Sequence, residues 1–193
     1  PTYVDNLVDL VTTKVGPESC VYANEGPGPY SITVRNRGPS RAYQVVLVDS
    51  IPNAQLQYVP GTLTVSGNNA AGPVSNAACS VTPDGSTIQC SLGALRPTQA
   101  TAGDQVITVQ YQLRAAANVP AQDAVRNVAV SSSGCSSDPT ANGTACVRDQ
   151  FEAVATLPDN TAEAFTNVCA RADLFVLKSS NAQSYVAGVN SNN

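Results

Sequence analysis

Ile107-Thr108-Val109-Gln110-Tyr111-Gln112-Leu113-Arg114 alternates without a break, every odd position apolar and every even one polar. Successive side chains of a strand point to opposite faces, so this octet predicts a strand with one face in a core and the other toward water. Shorter runs of the same kind occur at Tyr30-Ser31-Ile32-Thr33-Val34, from Tyr43 to Val48, at Leu63-Thr64-Val65 and from Val125 to Val130. Turn clusters separate them: Asn24 to Pro29, Asn36-Arg37-Gly38-Pro39-Ser40, Val59-Pro60-Gly61 and Pro83-Asp84-Gly85. No stretch carries a convincing 3.6-residue apolar period. Short strands closely punctuated by turns indicate an all-β sandwich or barrel.

Composition narrows the functions open to such a fold. The 193 residues are 42% hydrophobic, 12% charged and 5% aromatic, with no His, Met or Trp. Charge is about half the globular average of roughly 25%. Solubility therefore rests on 61 Ser, Thr, Asn and Gln residues, while 25 valines suit a pleated, half-buried surface. Without histidine there is no Ser-His-Asp or Cys-His catalysis, no His-ligated zinc and no histidine switch near neutral pH. A net charge of −4 gives no electrostatic reason to hold nucleic acid or an anionic membrane. No run of about 20 apolar residues is present to span a bilayer. The chain opens at Pro1 without a charged-then-apolar leader, which reads as a processed or excised mature segment.

Six cysteines stand at 20, 79, 90, 135, 146 and 169, with no CxxC pair among them, which disfavours zinc ribbons and thioredoxin-like sites. Cys79 and Cys90 flank two short strands around Pro83-Asp84-Gly85, so their side chains can meet across a hairpin. Cys135 and Cys146 bracket a loop rich in Ser, Asp, Pro and Gly. Elimination leaves Cys20 with Cys169, tying an early strand to the last one; buried free thiols are the alternative. A disulfide framework implies an oxidising, extracytoplasmic location.

The chain also repeats itself. Asp9-Leu10-Val11-Thr12-Thr13-Lys14 recurs as Asp173-Leu174-Phe175-Val176-Leu177-Lys178, and the two lysines of the chain occupy the same repeat position. A repeated module boundary accounts for this. The expected organisation is an N-terminal arm over 1–8, a sandwich over 9–170 and a C-terminal extension over 171–193 that starts a second repeat.

The segments Asp9 to Lys14, Tyr30 to Ser40, Val45 to Pro52, Cys79 to Cys90, Leu92-Gly93-Ala94-Leu95, Ile107 to Leu113 and Asn127-Val128-Ala129-Val130 follow one another in a familiar order. Together they resemble the conserved-repeat domain of bacterial and archaeal surface proteins known as domain of unknown function eleven, over about residues 5 to 170. The resemblance implies an immunoglobulin-like Greek-key β-sandwich, here with an extended C-terminal strand, used as tandem extracellular modules of structural or adhesive activity. Two features depart from the family: the Cys135 to Phe151 region is longer than usual, and Cys20 with Cys169 is not a typical family pair.

Catalytic and binding patterns are sparse. Asp138, Asp149, Glu152 and Asp159 cluster in sequence and read as solvated loop carboxylates rather than a glycosidase pair. Asp138-Pro139-Thr140-Ala141-Asn142-Gly143 comes nearest to a calcium loop and reads as a turn. Asn142-Gly143-Thr144 is a lone glycosylation sequon. Some surface sandwiches carry an isopeptide cross-link, which needs a lysine facing Asn or Asp near a carboxylic acid. Lys14 is the candidate inside the domain and Lys178 lies outside it, but disulfides already supply covalent ties, and the sequence alone favours those.

Function is then expected to lie in the overhang. A lone strand exposing Leu174, Val176 and Tyr185 is an aggregation liability unless it has a partner. The expected subunit-contact strand is Asp173, Leu174, Phe175, Val176 and Leu177, continued by Tyr185 and Val186. This predicts a non-enzymatic subunit of an extracellular filament that assembles head-to-tail with identical subunits by strand addition. No cofactor, nucleic acid, membrane span or small-molecule substrate is expected. The alternatives are a stalk module of a tandem-repeat cell-surface adhesin and a carbohydrate-binding accessory domain, the latter disfavoured by the lack of Trp and the few aromatic residues.

Overall fold

A computed structural model describes residues 7–22, 25–97, 105–117, 119–133, 157–169, 176–177 and 179. Among them there is no α-helix. Two stacked sheets form the domain. The first contains β1 (Leu10–Val15), β3 (Gly28–Asn36), β5 (Leu56–Tyr58), β6 (Thr64–Ser66) and β11 (Ile107–Ala115), in the order β1-β3-β11-β5 with β6 also on β11. The second contains β2 (Val21–Tyr22), β4 (Ala42–Ser50), β9 (Cys79–Val81), β10 (Thr87–Leu95), β12 (Gln122–Ser132) and β13 (Thr161–Cys169), in the order β2-β13-β12-β4-β10-β9. A two-residue pair, β7 (Asn68–Asn69) and β8 (Gly72–Pro73), stands apart. This is an immunoglobulin-like β-sandwich.

The opening octet lies in β11, and its phase sets the core. Ile107, Val109, Tyr111 and Leu113 are buried, and so are Tyr30, Ile32 and Val34 on the neighbouring β3. The facing sheet contributes Val45 and Leu47 from β4 and Ile88, Cys90 and Leu92 from β10. Alternation therefore settles which side of each central strand is apolar, because a one-residue slip would turn the whole set outward.

Neighbouring strands of the two sheets are joined by chemistry that alternation does not record. Gly93 bulges β10 with a φ of +78°, and a Cβ there would lie 2.6 Å from the Asn69 amide nitrogen. That amide donates to the Leu92 carbonyl at 3.0 Å, so the glycine lets β7 dock on β10. The turn between β9 and β10 is built around Asp84, whose Oδ1 accepts from Thr82 Oγ1 at 2.6 Å, Ser86 Oγ at 2.9 Å and the Ser86 amide at 3.1 Å. These bonds from Thr82 and Ser86 hold the exposed Asp84 carboxyl down at about 2.

Cys79 is bonded to Cys90 across the β9–β10 hairpin, and Cys20, next to β2, is bonded to Cys169 at the end of β13. β2 runs parallel to β13, with Val21 opposite Val168, which brings the two ends of the fold side by side. Loop-closure entropy grows with the logarithm of loop length. Replacing Cys20 and Cys169 together by Ser should thus cost about 5 kcal/mol, against about 3 kcal/mol for Cys79 and Cys90, because the bonds span 149 and 11 residues. Urea unfolding followed by circular dichroism measures both, and equal losses would refute the loop-length argument.

The Asp84 turn makes a second prediction. A carboxyl held low when folded stabilises the hairpin above its ordinary range, and this contribution is lost as the pH falls from about 4 toward 2. An NMR titration should place the Asp84 midpoint at about 2. A midpoint in the usual aspartate range would mean that the Thr82 and Ser86 bonds do not form in solution.

Candidate functional site

The core is not apolar throughout. Where β1 crosses β12 and β13, its inward residues are Leu10, Thr12 and Lys14, and all three are buried. Strand phase explains this directly: residues two apart share a face, so a leucine pointing inward at position 10 carries positions 12 and 14 in with it. The same rule brings Asp49 in with Val45 and Leu47 on β4, and Asn127 in with Val125 and Ala129 on β12.

These side chains form one connected seam. Thr12 Oγ1 donates to Ser131 Oγ at 2.7 Å. Two residues further on, Lys14 Nζ donates to Asp49 Oδ1 in an ion pair with no exposed side-chain surface. Asp49 Oδ2 accepts from the Tyr111 hydroxyl, which itself accepts from Asn127 Nδ2 at 3.0 Å. Asn127 Oδ1 is buried and has no hydrogen-bond partner. Tyr30 stacks on Tyr111 with ring centroids 5.4 Å apart and planes 5° from parallel, and its hydroxyl bonds to Thr166 Oγ1.

Burial dominates the electrostatics. Removal from water pushes Lys14 down to about 8 and Asp49 up, and in each case the partner's charge and hydrogen bond oppose the shift without cancelling it. Burial likewise raises Tyr111 well above its ordinary value, reinforced by the Asp49 charge, and holds Tyr30 up at about 12. The seam therefore brings an amine, a carboxyl group, a phenol and a carboxamide together in a compartment where burial weakens the preference for the charged forms.

Other features offer less. A surface cleft of about 640 Å³ bounded by Val15, Pro17, Glu18, Tyr30, Gln110 and Tyr111 has, among the described residues, Glu18 as its one charged lining residue. Among the described residues no group of three or more His, Cys, Asp or Glu could hold a metal ion. No helix among them is long and apolar enough to cross a membrane.

The residues singled out from sequence fall in three places. Cys20, Cys79, Cys90 and Cys169 lie in the two disulfides above. Val176 and Leu177 of the expected contact strand are 87% and 82% exposed. Cys135, Cys146, Asn142, Asp138, Asp149, Glu152, Asp173, Leu174, Phe175, Tyr185 and Val186 lie outside the described residues. Asp159 is partly buried, and burial raises its carboxyl, with the Asp9 charge adding to the shift. Sequence reasoning missed Asp49, Tyr111 and Asn127 as site residues, although each sits in phase with apolar neighbours on its strand.

Comparison with known proteins yields neither a matching family model nor a matching curated protein. Solved structures do show likeness. The major pilin subunit BcpA of Bacillus cereus is 13% identical with a TM-score of 0.47, covering 83% of this chain and 40% of the pilin. The collagen binding subdomain of the Enterococcus faecalis surface protein ACE is 10% identical with a TM-score of 0.44, covering 86% of this chain and 99% of that one. AvmM, which catalyses macrocyclization in alchivemycin A biosynthesis, is 12% identical with a TM-score of 0.39, covering 90% and 94%. The chain thus spans about two fifths of the pilin's length. Likeness of this degree says nothing of activity, and function has to be argued from this chain's own residues.

The Tyr111 hydroxyl is the hinge of the seam, since it both donates to Asp49 and accepts from Asn127. Tyr111→Phe keeps the stacked ring and strands the two partners, and should lower stability by about 1–3 kcal/mol. Urea midpoints report this, and an unchanged midpoint would show that the seam is not formed as described.

Proposed function

We propose that this chain is a structural module of an extracellular surface fibre, built from identical units that follow one another head to tail. In this reading residues 171–193 of one unit add as a strand to a sheet of the next. The observation that carries it is the recurrence of Asp9 to Lys14 as Asp173 to Lys178. The first copy forms β1, which stands at the end of its sheet and, among the described residues, pairs with β3 alone along its length. The second copy shares the Asp, the two apolar residues after it and the Lys, replaces the two threonines by Val176 and Leu177, and has both of these turned to solvent.

An exposed strand with apolar side chains seeks a sheet edge, and strand addition supplies main-chain hydrogen bonds for affinity and side-chain pockets for register. Contacts between unlike surfaces of identical units are heterologous and propagate as open fibres. Two disulfides suit an oxidising location outside the cytoplasm, at the cell surface or beyond it. The resemblance to conserved-repeat surface domains supports the same placement. The role is structural rather than enzymatic.

One observation favours a second reading. Lys14 already fills the polar seam of its own sandwich. A strand bearing Lys178 in the equivalent position would find that seam occupied in a complete neighbour, whereas it fits a following module whose own first strand it forms. The chain is then one stalk module of a tandem-repeat adhesin.

Deleting residues 173–193 separates the two. Strand addition predicts polymers of the full chain by electron microscopy and sedimentation, and monomers of the shortened one. Polymers that persist after the deletion would sink strand addition, and a full chain that stays monomeric at every concentration would favour the stalk.

A further inference from the structure

We propose that Lys14 and Asn127 join through an intramolecular isopeptide bond, with Asp49 as the acid–base group that assists its formation. Three independent features of the seam lead here. The first is placement. Thr12 meets Ser131, and Lys14 meets Asp49, whose register partner on β12 is Ala129, so Lys14 lies further along β12 than Ser131, toward Asn127. Ala129, and Ala164 opposite Asn127, are buried there and carry small side chains. Asp49 pairs in register with Ala129, and Asn127 is two residues further along the same face, which makes Asp49 and Asn127 diagonal neighbours.

The second feature is the orphan acceptor. Asn127 Oδ1 is buried without a partner, an arrangement that costs free energy and has no structural return. A protonated Asp49 can satisfy it and polarise the carboxamide at once. The third is the scarcity of the residue: Lys14 and Lys178 are the two lysines of the chain, at one repeat position, and the first is fully enclosed. Burying a lysine against an aspartate contributes little stability over an apolar pair, so its retention asks for chemistry.

The step balances without a cofactor or an oxidant. The neutral Lys14 amine attacks Cγ of Asn127, and a bond forms between Nζ and Cγ. The Cγ–Nδ2 bond breaks, and the proton released by Nζ travels through Asp49 to Nδ2, which leaves as ammonia. Burial makes it easier for Lys14 to lose a proton and for Asp49 to gain one, so that transfer of a proton within the ion pair gives the amine and the acid that this path requires. Proximity in a water-poor compartment supplies the rest, since a well-oriented intramolecular attack avoids the entropy of bringing two groups together. Direct coupling of Lys14 to Asp49 is the competing outcome. It lacks an assisting acid, because Asp49 is the one carboxylate among the buried residues described.

Mass spectrometry of the purified full chain decides the matter. With disulfides reduced, the intact mass should fall short of the sequence by one ammonia. Trypsin cannot cut at an acylated lysine, so the digest should contain residues 1–35 joined to residues 127–148 as one branched peptide. Asp49→Ala, Lys14→Arg and Asn127→Ala should each restore the full mass. Should any variant fail to fold, the branched peptide of the unaltered chain remains decisive by itself. An intact mass equal to the sequence would overturn the proposal. So would the loss of one water with Lys14 joined to Asp49, or an ammonia loss confined to Asn142-Gly143 with no branch. None of these outcomes bears on fibre assembly, which is read by the tail deletion instead.

Discussion

An ammonium and a carboxylate removed from water are the constraint around which this sandwich is organised. Lys14 and Asp49 sit in a core whose chain is only 12% charged, and neither exposes any side-chain surface. Each ion loses several kcal/mol of hydration on burial, which mutual attraction recovers only with good geometry and further hydrogen bonds. The surrounding strands provide these. Tyr111 donates to the second carboxylate oxygen, Asn127 donates to Tyr111, and the stacked Tyr30 stands beside them. A slip of β1 by one residue would send Lys14 to solvent and leave the buried Asp49 without its counter-ion, held by Tyr111 alone among its described partners. The pair therefore fixes the register of a strand that, among the described residues, has a ladder partner on one side alone.

Much of the fold was legible because its central strands obey a simple period. Ile107 to Leu113 and Tyr30 to Val34 present one apolar face each, and the structure packs those faces inward. The polar seam was legible only strand by strand. Asp49 follows Leu47 at the spacing of an inward residue, yet at the end of a strand before Ile51-Pro52 an aspartate reads equally well as a turn residue. Asn127 lies between Val125 and Ala129 and reads as a break in the apolar pattern. What no single strand reveals is that these exceptions meet. Their convergence depends on how the sheets face each other across the core, a property of non-local packing rather than of periodicity.

Short elements escaped for a different reason. β2, β7 and β8 have two residues each, too few for any period to declare itself. They are placed by chemistry at single positions: Cys20 beside β2, and Gly93 with Asn69 at β7. The cysteine spacing carried more information than the residues around it, because a hairpin pair and a terminal pair satisfy different geometric needs.

The two kinds of tie act on different parts of the molecule if the module carries load along its length. A pull between the N-terminal side and the tail passes from residue 20 straight to residue 169 through the disulfide, so the 149-residue loop it closes is shielded from tension. What remains in the path is β1 and the short segment that follows it. β1 is held by six register pairs to β3 and could be peeled from that ladder from its outer end. Lys14 lies near the inner end of this strand and reaches across to the opposite sheet. A connection there stops peeling before it exposes the core. The seam thus reinforces the one stretch that the disulfide leaves unprotected, which gives a buried lysine on an edge strand a mechanical purpose that core packing alone does not supply.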